Sequence, residues 1–200
     1  MFGQIPIRNA FALFAWATLL ACSSDARDAG NDSAAGTVTD SAAIDDPDRV
    51  DPEAAAAGPL IQALADRQEA LLEMARIAVN RREQVEVSGD ARRMLTEQRR
   101  ESNRLLGALK SEYRITHQPT IPQAELDLIG NVQGAGVGEF DRIFLDAVVK
   151  HHEGDIGIID EALPKITKPQ VREMLTAIRA QRASEAAAFK KQLETAQSKR

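Results

Sequence analysis

The sequence is poor in the residues and motifs that most often carry catalytic or metal chemistry. It has a single cysteine, Cys22, so no disulfide within the chain and no cysteine-rich metal site can form. It contains no Gly-rich phosphate loop, no nucleophile elbow and no zinc-type Cys/His spacing. No segment alternates apolar and polar residues with the period of a β-strand. The scarcity of these signals argues against the common nucleotide-binding, hydrolase and zinc-module classes and favours an all-α protein.

The N-terminus has the pattern of a bacterial export signal. Arg8 precedes an apolar run over residues 11–21, which is too short for a permanent membrane span and is typical of a secretory signal peptide. Leu19–Cys22 resembles a lipobox, so we predict a signal peptide over 1–21 and lipidation of Cys22. An ordinary signal peptide with an incidental cysteine is the alternative. Ser23 in the next position favours sorting to the outer membrane, with the protein anchored in the cell envelope and facing the periplasm.

An acidic segment follows the predicted lipidation site. Residues 22–57 are rich in Ala, Asp, Ser and Gly, and they carry nine acidic residues against two arginines. Such a composition buries too little apolar surface to offset chain entropy, which predicts a disordered linker. Without this segment and Arg8 the rest of the chain is close to neutral. A near-neutral domain gives no electrostatic argument for binding nucleic acid.

The second half of the chain repeats the first at a constant offset of 84 residues. Arg67-Gln68-Glu69 aligns with His151-His152-Glu153, and the same register aligns Glu101 with Glu185 and Leu105 with Phe189. Two copies of one helical hairpin, over 58–113 and 137–197, predict a four-helix bundle spanning 58–197. The two copies differ at the aligned centre, where one has a histidine pair and the other has arginine and glutamine. We expect Arg67 and His151 to lie at the same height in the bundle, and Arg182 to lie within salt-bridge reach of Glu185, Glu101 or Asp155.

Turn and breaker residues predict where the helices begin and end. Ser88-Gly89-Asp90 has the chemistry of a turn followed by an N-cap, which places the start of the second helix there. Residues 114–136 contain two prolines and three glycines and predict a long connection, with at most a short helical turn around 123–128. His117 lies in this connection beside Pro119, and we expect it to be exposed.

A band of polar residues interrupts the apolar faces of all four predicted helices near their middles. Because buried charge requires a partner or a metal, the band has two interpretations. Imidazoles and carboxylates could converge on a transition metal, or two arginines could neutralise three carboxylates without one. Ferritin-type di-iron spacing, Glu-x-x-His on two helices, does not occur. The band comprises Arg67, Gln68, Gln98, Glu101, His151, His152, Asp155, Arg182 and Glu185.

The motif around the histidine pair resembles the family called domain of unknown function 305. The family pattern Asp-x-x-Phe followed by His-His matches Asp141, Phe144 and the pair His151-His152. Its downstream Gln-x-x-Glu-x-x-x-Met is similar to Arg182-x-x-Glu185-x-x-x-Phe189. The resemblance covers residues 58–197 and implies a ferritin-like, secreted or periplasmic bundle, some of whose relatives bind copper or silver.

The family's methionines are absent here, since Val148, Ile158 and Phe189 stand at those positions. Soft Cu(I) and Ag(I) favour thioethers, so the remaining histidine and carboxylate ligands suit Cu(II), Zn(II) or Ni(II) better. We therefore predict a lipid-anchored, non-catalytic bundle with a metal site. The alternative is a structural or interaction module that has lost the metal and binds an envelope protein or a second copy of itself. The predicted ligands are His151, His152 and Glu185, assisted by Asp155 or Glu101.

Overall fold

The computed structural model describes residues 51–81 and 85–198, and these are helical apart from short connections. Four long helices, α1 (Pro52–Asn80), α2 (Val85–Tyr113), α4 (Phe140–Ala162) and α5 (Pro169–Ser198), form the predicted bundle, and a short helix, α3 (Gln123–Gly134), is added to it. Leu163–Lys165 is a single 3₁₀ turn. The predicted signal peptide, the lipidation of Cys22 and nearly all of the acidic linker lie outside the described residues.

Helix α1 begins earlier than the predicted boundary at residue 58. The Asp51 carboxylate accepts a hydrogen bond from the Glu53 amide at 2.9 Å, and Pro52 follows at the first helical position. Both are favourable at a helix N-terminus, and the alanines that follow are strong helix formers. Ala54 and Ala57 are buried in the bundle, so the last part of the predicted linker belongs to the folded domain.

Helix α2 also begins earlier than expected, because Ser88, Gly89 and Asp90 lie inside it. Val87 and Ala91 are both buried, one helical turn apart. Their packing continues the apolar stripe of the helix through the three residues, and it outweighs their local preference for a turn.

The connection after α2 is more ordered than the sequence suggested. Arg114 has a left-handed backbone (φ 57°), and the Ile115 amide donates to the Leu109 carbonyl at 2.9 Å, which closes the C-terminus of α2. His117 was expected to be exposed, and this was wrong. Its Nε2 lies 2.7 Å from a carboxylate oxygen of Asp66 on α1, and its side chain is only 17% exposed. A local sequence pattern cannot reveal this contact, because its partner lies 51 residues away.

Helix α3 was expected to be no more than a short turn, and it is a helix of 12 residues. Glu125, Ile129 and Val132 are buried on one face of it, at spacings of four and three. Arg81 donates two hydrogen bonds to carbonyls at the end of this helix, from Nη1 to Ala135 and from Nη2 to Gln133. The helix is therefore packed on the bundle by its own apolar face and closed by a side chain from the end of α1.

The N-terminus of α1 is fixed to two other parts of the bundle by Glu53. Its carboxylate accepts hydrogen bonds from the Tyr113 hydroxyl at 2.7 Å and the Thr167 amide at 2.9 Å. The Glu53 carboxylate thus connects the start of α1 with the end of α2 and with the turn before α5. Hydrogen bonds to a charged group are stronger than those between neutral groups, which makes this connection a stable one. None of the helices in the described residues has a stretch apolar enough, over sufficient length, to cross a bilayer.

The apolar core is divided into two clusters, and the polar band predicted from the sequence lies between them. One cluster lies towards the α1–α2 connection and is centred on Leu71, Met94 and Phe144. The other lies towards the N-terminus of α1 and is centred on Ile61, Leu105 and Leu175. The band between them is buried. Its charged groups are therefore held among apolar side chains, where their charges must be balanced locally.

Candidate functional site

The polar layer is built from side chains of all five helices. Those of the four long helices enter the core near the middle of the helix, where the apolar stripe is interrupted, and Glu125 enters from the first turn of α3. The buried members are Gln68, Gln98, Glu101, Ser102, Glu125, His151, His152, Asp155 and Arg182, while Arg67 and Glu185 keep 15% and 14% of their side-chain surface exposed.

Arg67 reaches from α1 to two other helices. Its Nε donates to a carboxylate oxygen of Asp155 at 2.6 Å, its Nη2 donates to the His151 carbonyl at 2.6 Å, and its Nη1 donates to Glu125 on α3. The guanidinium lies against Gly154, where a Cβ atom would stand only 2.5 Å from Nη2. The absence of a side chain at Gly154 is therefore what lets the guanidinium approach the backbone of α4.

Arg182 performs the matching role from α5 and is completely buried. Its Nε donates to Asp155 at 3.1 Å, its Nη1 lies 3.4 Å from Glu185, and its Nη2 donates to Glu101 and, at 2.6 Å, to the amide oxygen of Gln98. The expected salt bridges of Arg182 are thus confirmed. Asp155 accepts from both arginines, one at each oxygen, so a single carboxylate joins the two halves of the layer.

Two of these contacts join positions related by the 84-residue repeat. Arg67 bonds His151, and Arg182 bonds Gln98, and each pair is separated by 84 residues. Equivalent positions of the two hairpins touch near the pseudo-twofold axis that relates the hairpins. The two contacts therefore indicate that this axis passes through the polar layer. The prediction that Arg67 and His151 lie at the same height in the bundle is confirmed.

His151 is held on both sides by carboxylates. Its Nδ1 lies 2.9 Å from Glu125, and its Nε2 lies 3.3 Å from Asp155, although that second approach is not directed as a hydrogen bond. Burial lowers the pKa of His151, but the two carboxylates outweigh burial, so the pKa is raised overall. The pKa of Asp155 is lowered because His151, Arg182 and Arg67 outweigh its burial.

His152 has a different environment, although it is the next residue. Its ring stacks on Phe189 with centroids 6.3 Å apart, and its Nε2 lies 3.1 Å from Glu185 without the direction of a hydrogen bond. Its Nδ1 has no hydrogen-bond partner. Burial, aided by the charge of Arg182, holds the pKa of His152 below its usual value, so its imidazole is neutral at pH 7.

The carboxylates Glu101 and Glu185 beside His152 also differ from each other. Burial raises the pKa of Glu101 to about 7, although Arg182 opposes the shift. The pKa of Glu185 is lowered, because the close approach of the His152 imidazole, the hydrogen bond from Gln181 and the charge of Arg182 outweigh the effect of its burial. Glu101, Glu185 and Phe189 line a groove of about 570 Å³ between α2 and α5, and His152 is fully buried against Phe189 and Glu185. This side of the layer is therefore accessible to solvent ions.

Glu125 is the charged member of the layer that sequence reasoning missed. It lies in the segment assigned to a connection, yet its side chain is 3% exposed and contacts both Arg67 and His151. The spacing of Glu125, Ile129 and Val132 was the available signal, since it places all three on one helical face.

The layer falls into two parts that differ in their fit to a metal ion. We call Arg67, Glu125, His151 and Asp155 the α3-side centre, and His152 with Glu185 the groove-side pair. In the α3-side centre a guanidinium stands between the carboxylates, so these residues do not fit a metal. The groove-side pair offers a neutral imidazole and an ionised carboxylate, which are ligand types that suit a divalent ion. Glu185 also accepts a hydrogen bond from Gln181 at 3.0 Å and lies 3.4 Å from Nη1 of Arg182, a weaker contact than those in the α3-side centre.

Across residues 51–81 and 85–198, no three His, Asp or Glu side chains are grouped so that they could hold a metal ion by themselves. The structure brings all five predicted ligands into one layer, but it pairs Asp155, Glu101 and, at 3.4 Å, Glu185 with arginines. The role of His151, His152, Glu185, Asp155 and Glu101 as ligands stays a prediction.

These features define an all-helical bundle, made of two repeated hairpins, with a buried ion-pair layer at its middle. The sequence pattern of the domain of unknown function family DUF305 matches residues 60–193, so the chain belongs to that family. The resemblance stated from the His-His motif is confirmed.

Solved structures of CopM have the same fold. Its Cu(I)-bound form has a TM-score of 0.59 at 18% identity, and the match covers 68% of this chain and 94% of that one. The Cu(II)-bound form gives a TM-score of 0.59 at 16% identity, covering 68% and 93%, and the Ag-bound form gives 0.58 at 16%, covering 68% and 94%. At these identities the likeness establishes the fold and not the ligand. No curated protein matches the chain.

Proposed function

We propose that this protein is a lipid-anchored, periplasm-facing member of its family that binds one divalent transition-metal ion weakly at His152 and Glu185. The observation that carries the proposal is the state of His152. Its buried ring is neutral, both of its nitrogens lack a directed hydrogen bond, and an ionised carboxylate lies 3.1 Å away. A buried polar group without a partner is unfavourable, and a ligand from the groove would relieve this cost.

The chemistry of the pair supports the choice of metal. Imidazole and carboxylate suit Cu(II), Zn(II) or Ni(II), and Phe189 stands where a thioether would be needed for Cu(I). CopM, which shares the fold, has Cu(I)-, Cu(II)- and Ag-bound forms. Two protein ligands leave the other coordination positions to water, so the affinity is low. A non-catalytic role is part of the proposal, because the carboxylates deeper in the layer are paired with arginines.

The experiment uses the untagged full-length chain, equilibrated with Cu(II), Zn(II) or Ni(II). Bound metal is measured by mass spectrometry, and unfolding is followed by circular dichroism. An ion at about 100 times its Kd stabilises the folded state by roughly 2.7 kcal/mol. The gain should disappear in His152→Ala and in Glu185→Gln, and it should fall at acidic pH as the imidazole is protonated.

His117→Ala is the matched control, since it removes a histidine that lies outside the layer. It should change the baseline stability while keeping the full metal-dependent gain. Metal binding at this pair is contradicted if none of the three metals changes the unfolding temperature of the wild-type protein. It is also contradicted if the metals raise the unfolding temperature of His152→Ala by the same amount.

A second candidate function is favoured by the two buried arginines. Arg67 and Arg182 between them form ion pairs with all four carboxylates of the layer, which is what a purely structural layer requires. In that case the bundle is an interaction module for an envelope protein or for a second copy of itself. A wild-type chain without any metal response would favour this candidate.

A further inference from the structure

We propose that Arg67 is a resident cation that keeps divalent metal ions out of the α3-side centre, and that Gly154 is the residue that positions it. This inference concerns a different set of residues from the groove-side pair, and it does not depend on whether that pair binds a metal.

The first argument is the way the carboxylates share their oxygens. Glu125 gives one oxygen to Arg67 and the other to His151, and Asp155 gives one oxygen to Arg67 and the other to Arg182. The guanidinium of Arg67 therefore stands where the free lone pairs of two carboxylates converge. A divalent cation would bind at this same position if the guanidinium were absent, because it coordinates the same carboxylate oxygens.

The second argument is His151, whose two ring nitrogens lie against the other oxygens of the same two carboxylates. Its Nε2 lies 3.3 Å from Asp155, has no directed hydrogen bond and is fully buried. Two carboxylates and an imidazole make a typical ligand set for Zn(II) or Co(II). These ligand types thus surround Arg67, and with the guanidinium in place no three such side chains in the described residues are grouped to hold a metal.

The third argument is that Arg67 cannot leave this role by losing its charge. A guanidinium stays protonated in proteins, and its planar fork matches carboxylate geometry. The three contacts of Arg67 engage Nε, Nη1 and Nη2 separately, and the side chain reaches them by passing over Gly154. A divalent ion beside this fixed positive charge would be repelled at short range.

The fourth argument is the repeat. Position 67 corresponds to position 151, so the same site in the second hairpin carries a histidine. At this position the second hairpin has a residue that can bind a metal, His151, and the first hairpin has a permanently charged side chain, Arg67. Exclusion of metal from the α3-side centre is therefore a property of one residue.

The test removes the guanidinium from a full-length chain that lacks the groove-side ligand. Co(II) is the probe, because its visible absorption reports the type and geometry of its ligands, and bound Co(II) is also counted by mass spectrometry. His152→Ala alone should bind none. His152→Ala/Arg67→Ala should bind one ion per chain, and adding Glu125→Gln to that variant should abolish the new site.

The proposal is overturned if His152→Ala/Arg67→Ala folds and binds no Co(II), or if its bound Co(II) survives Glu125→Gln. If it is unfolded without metal, Co(II) should restore its helical circular dichroism. If it does not refold, His152→Ala/Arg67→His decides: one bound ion supports the proposal, and none refutes it. Failure of the groove-side proposal is distinguishable, since it appears as a wild-type chain that binds nothing while the Arg67 variants still gain a site.

Discussion

Gly154→Ala is the sharpest test of whether Arg67 is locked in the layer. Replacing a helical glycine by alanine normally stabilises a protein by about 1 kcal/mol. At Gly154 the new methyl group would stand 2.5 Å from Nη2 and 3.0 Å from Cζ of Arg67. The guanidinium must move away, and the sign of the effect depends on whether it can do so freely.

The contacts of Arg67 allow the size of the effect to be estimated. Displacing the guanidinium weakens its ion pairs with Asp155 and Glu125, whose side chains are 0% and 3% exposed. Breaking a buried ion pair costs about 3–5 kcal/mol, and the low end applies because Arg67 itself is partly exposed. After the helix gain of about 1 kcal/mol is subtracted, Gly154→Ala should destabilise the protein by about 2 kcal/mol. The melting temperature should fall by about 4–8 °C.

Gly157→Ala is the matched control on the same helix, since nothing lies within 4 Å of its Cβ position. It should raise the melting temperature. In the Arg67→Ala background Gly154→Ala should also become stabilising, because the obstructing group is gone, and the double-mutant cycle isolates this coupling. Thermal unfolding by circular dichroism measures all four variants. If Gly154→Ala stabilises the wild-type chain as much as Gly157→Ala does, the guanidinium is not locked and the reasoning is wrong.

Two further predictions concern pH and the envelope anchor. Burial raises the pKa of Glu101 from 4.5 to about 7. Between these two pH values the folded state binds more protons than the unfolded state. The contribution of Glu101 to the free energy of unfolding therefore falls as the pH rises from 4.5 to about 7. The stability of Glu101→Gln relative to wild type should therefore increase from pH 5 to pH 8, by up to about 3 kcal/mol, as measured by urea unfolding. If the difference in unfolding free energy between the two proteins is the same at both pH values, this prediction is wrong. Wild-type protein should fractionate with membranes when expressed in bacteria, whereas Cys22→Ala should be released or left unprocessed, and a wholly soluble wild type with a free thiol would refute the anchor.

The sequence could predict the parts of the site that depend on helical spacing and on the repeat. Arg67 and His151 were expected at the same height because one register covers both hairpins, and the expected partners of Arg182 follow from the need to neutralise a buried guanidinium. Both arguments use only the spacing of residues along a helix and the alignment between the two hairpins, which can be read from the sequence.

Other parts could not be predicted because distant residues determine them. Glu125 lies in a segment rich in proline and glycine, and its burial is fixed by Arg67 from α1 and His151 from α4. The spacing of His151 and His152 on one helix places both near the layer. It could not reveal that His151 is held by two carboxylates while His152 stacks on Phe189, which lines the groove.

The exchange of arginines between the two hairpins has a consequence for how the protein folds. Arg67 belongs to the first hairpin and finds its acid, Asp155, on the second, while Arg182 belongs to the second and finds Glu101 on the first. The first hairpin, emerging alone during synthesis, would lack Asp155 as a partner for Arg67 and Arg182 as a partner for Glu101, and its polar stripe would stay hydrated. Desolvation of the stripe and docking of the hairpins therefore occur in one late step. The nascent first hairpin stays unpacked at its middle until the second has been made, and unfolding is a single cooperative event rather than the loss of one hairpin at a time.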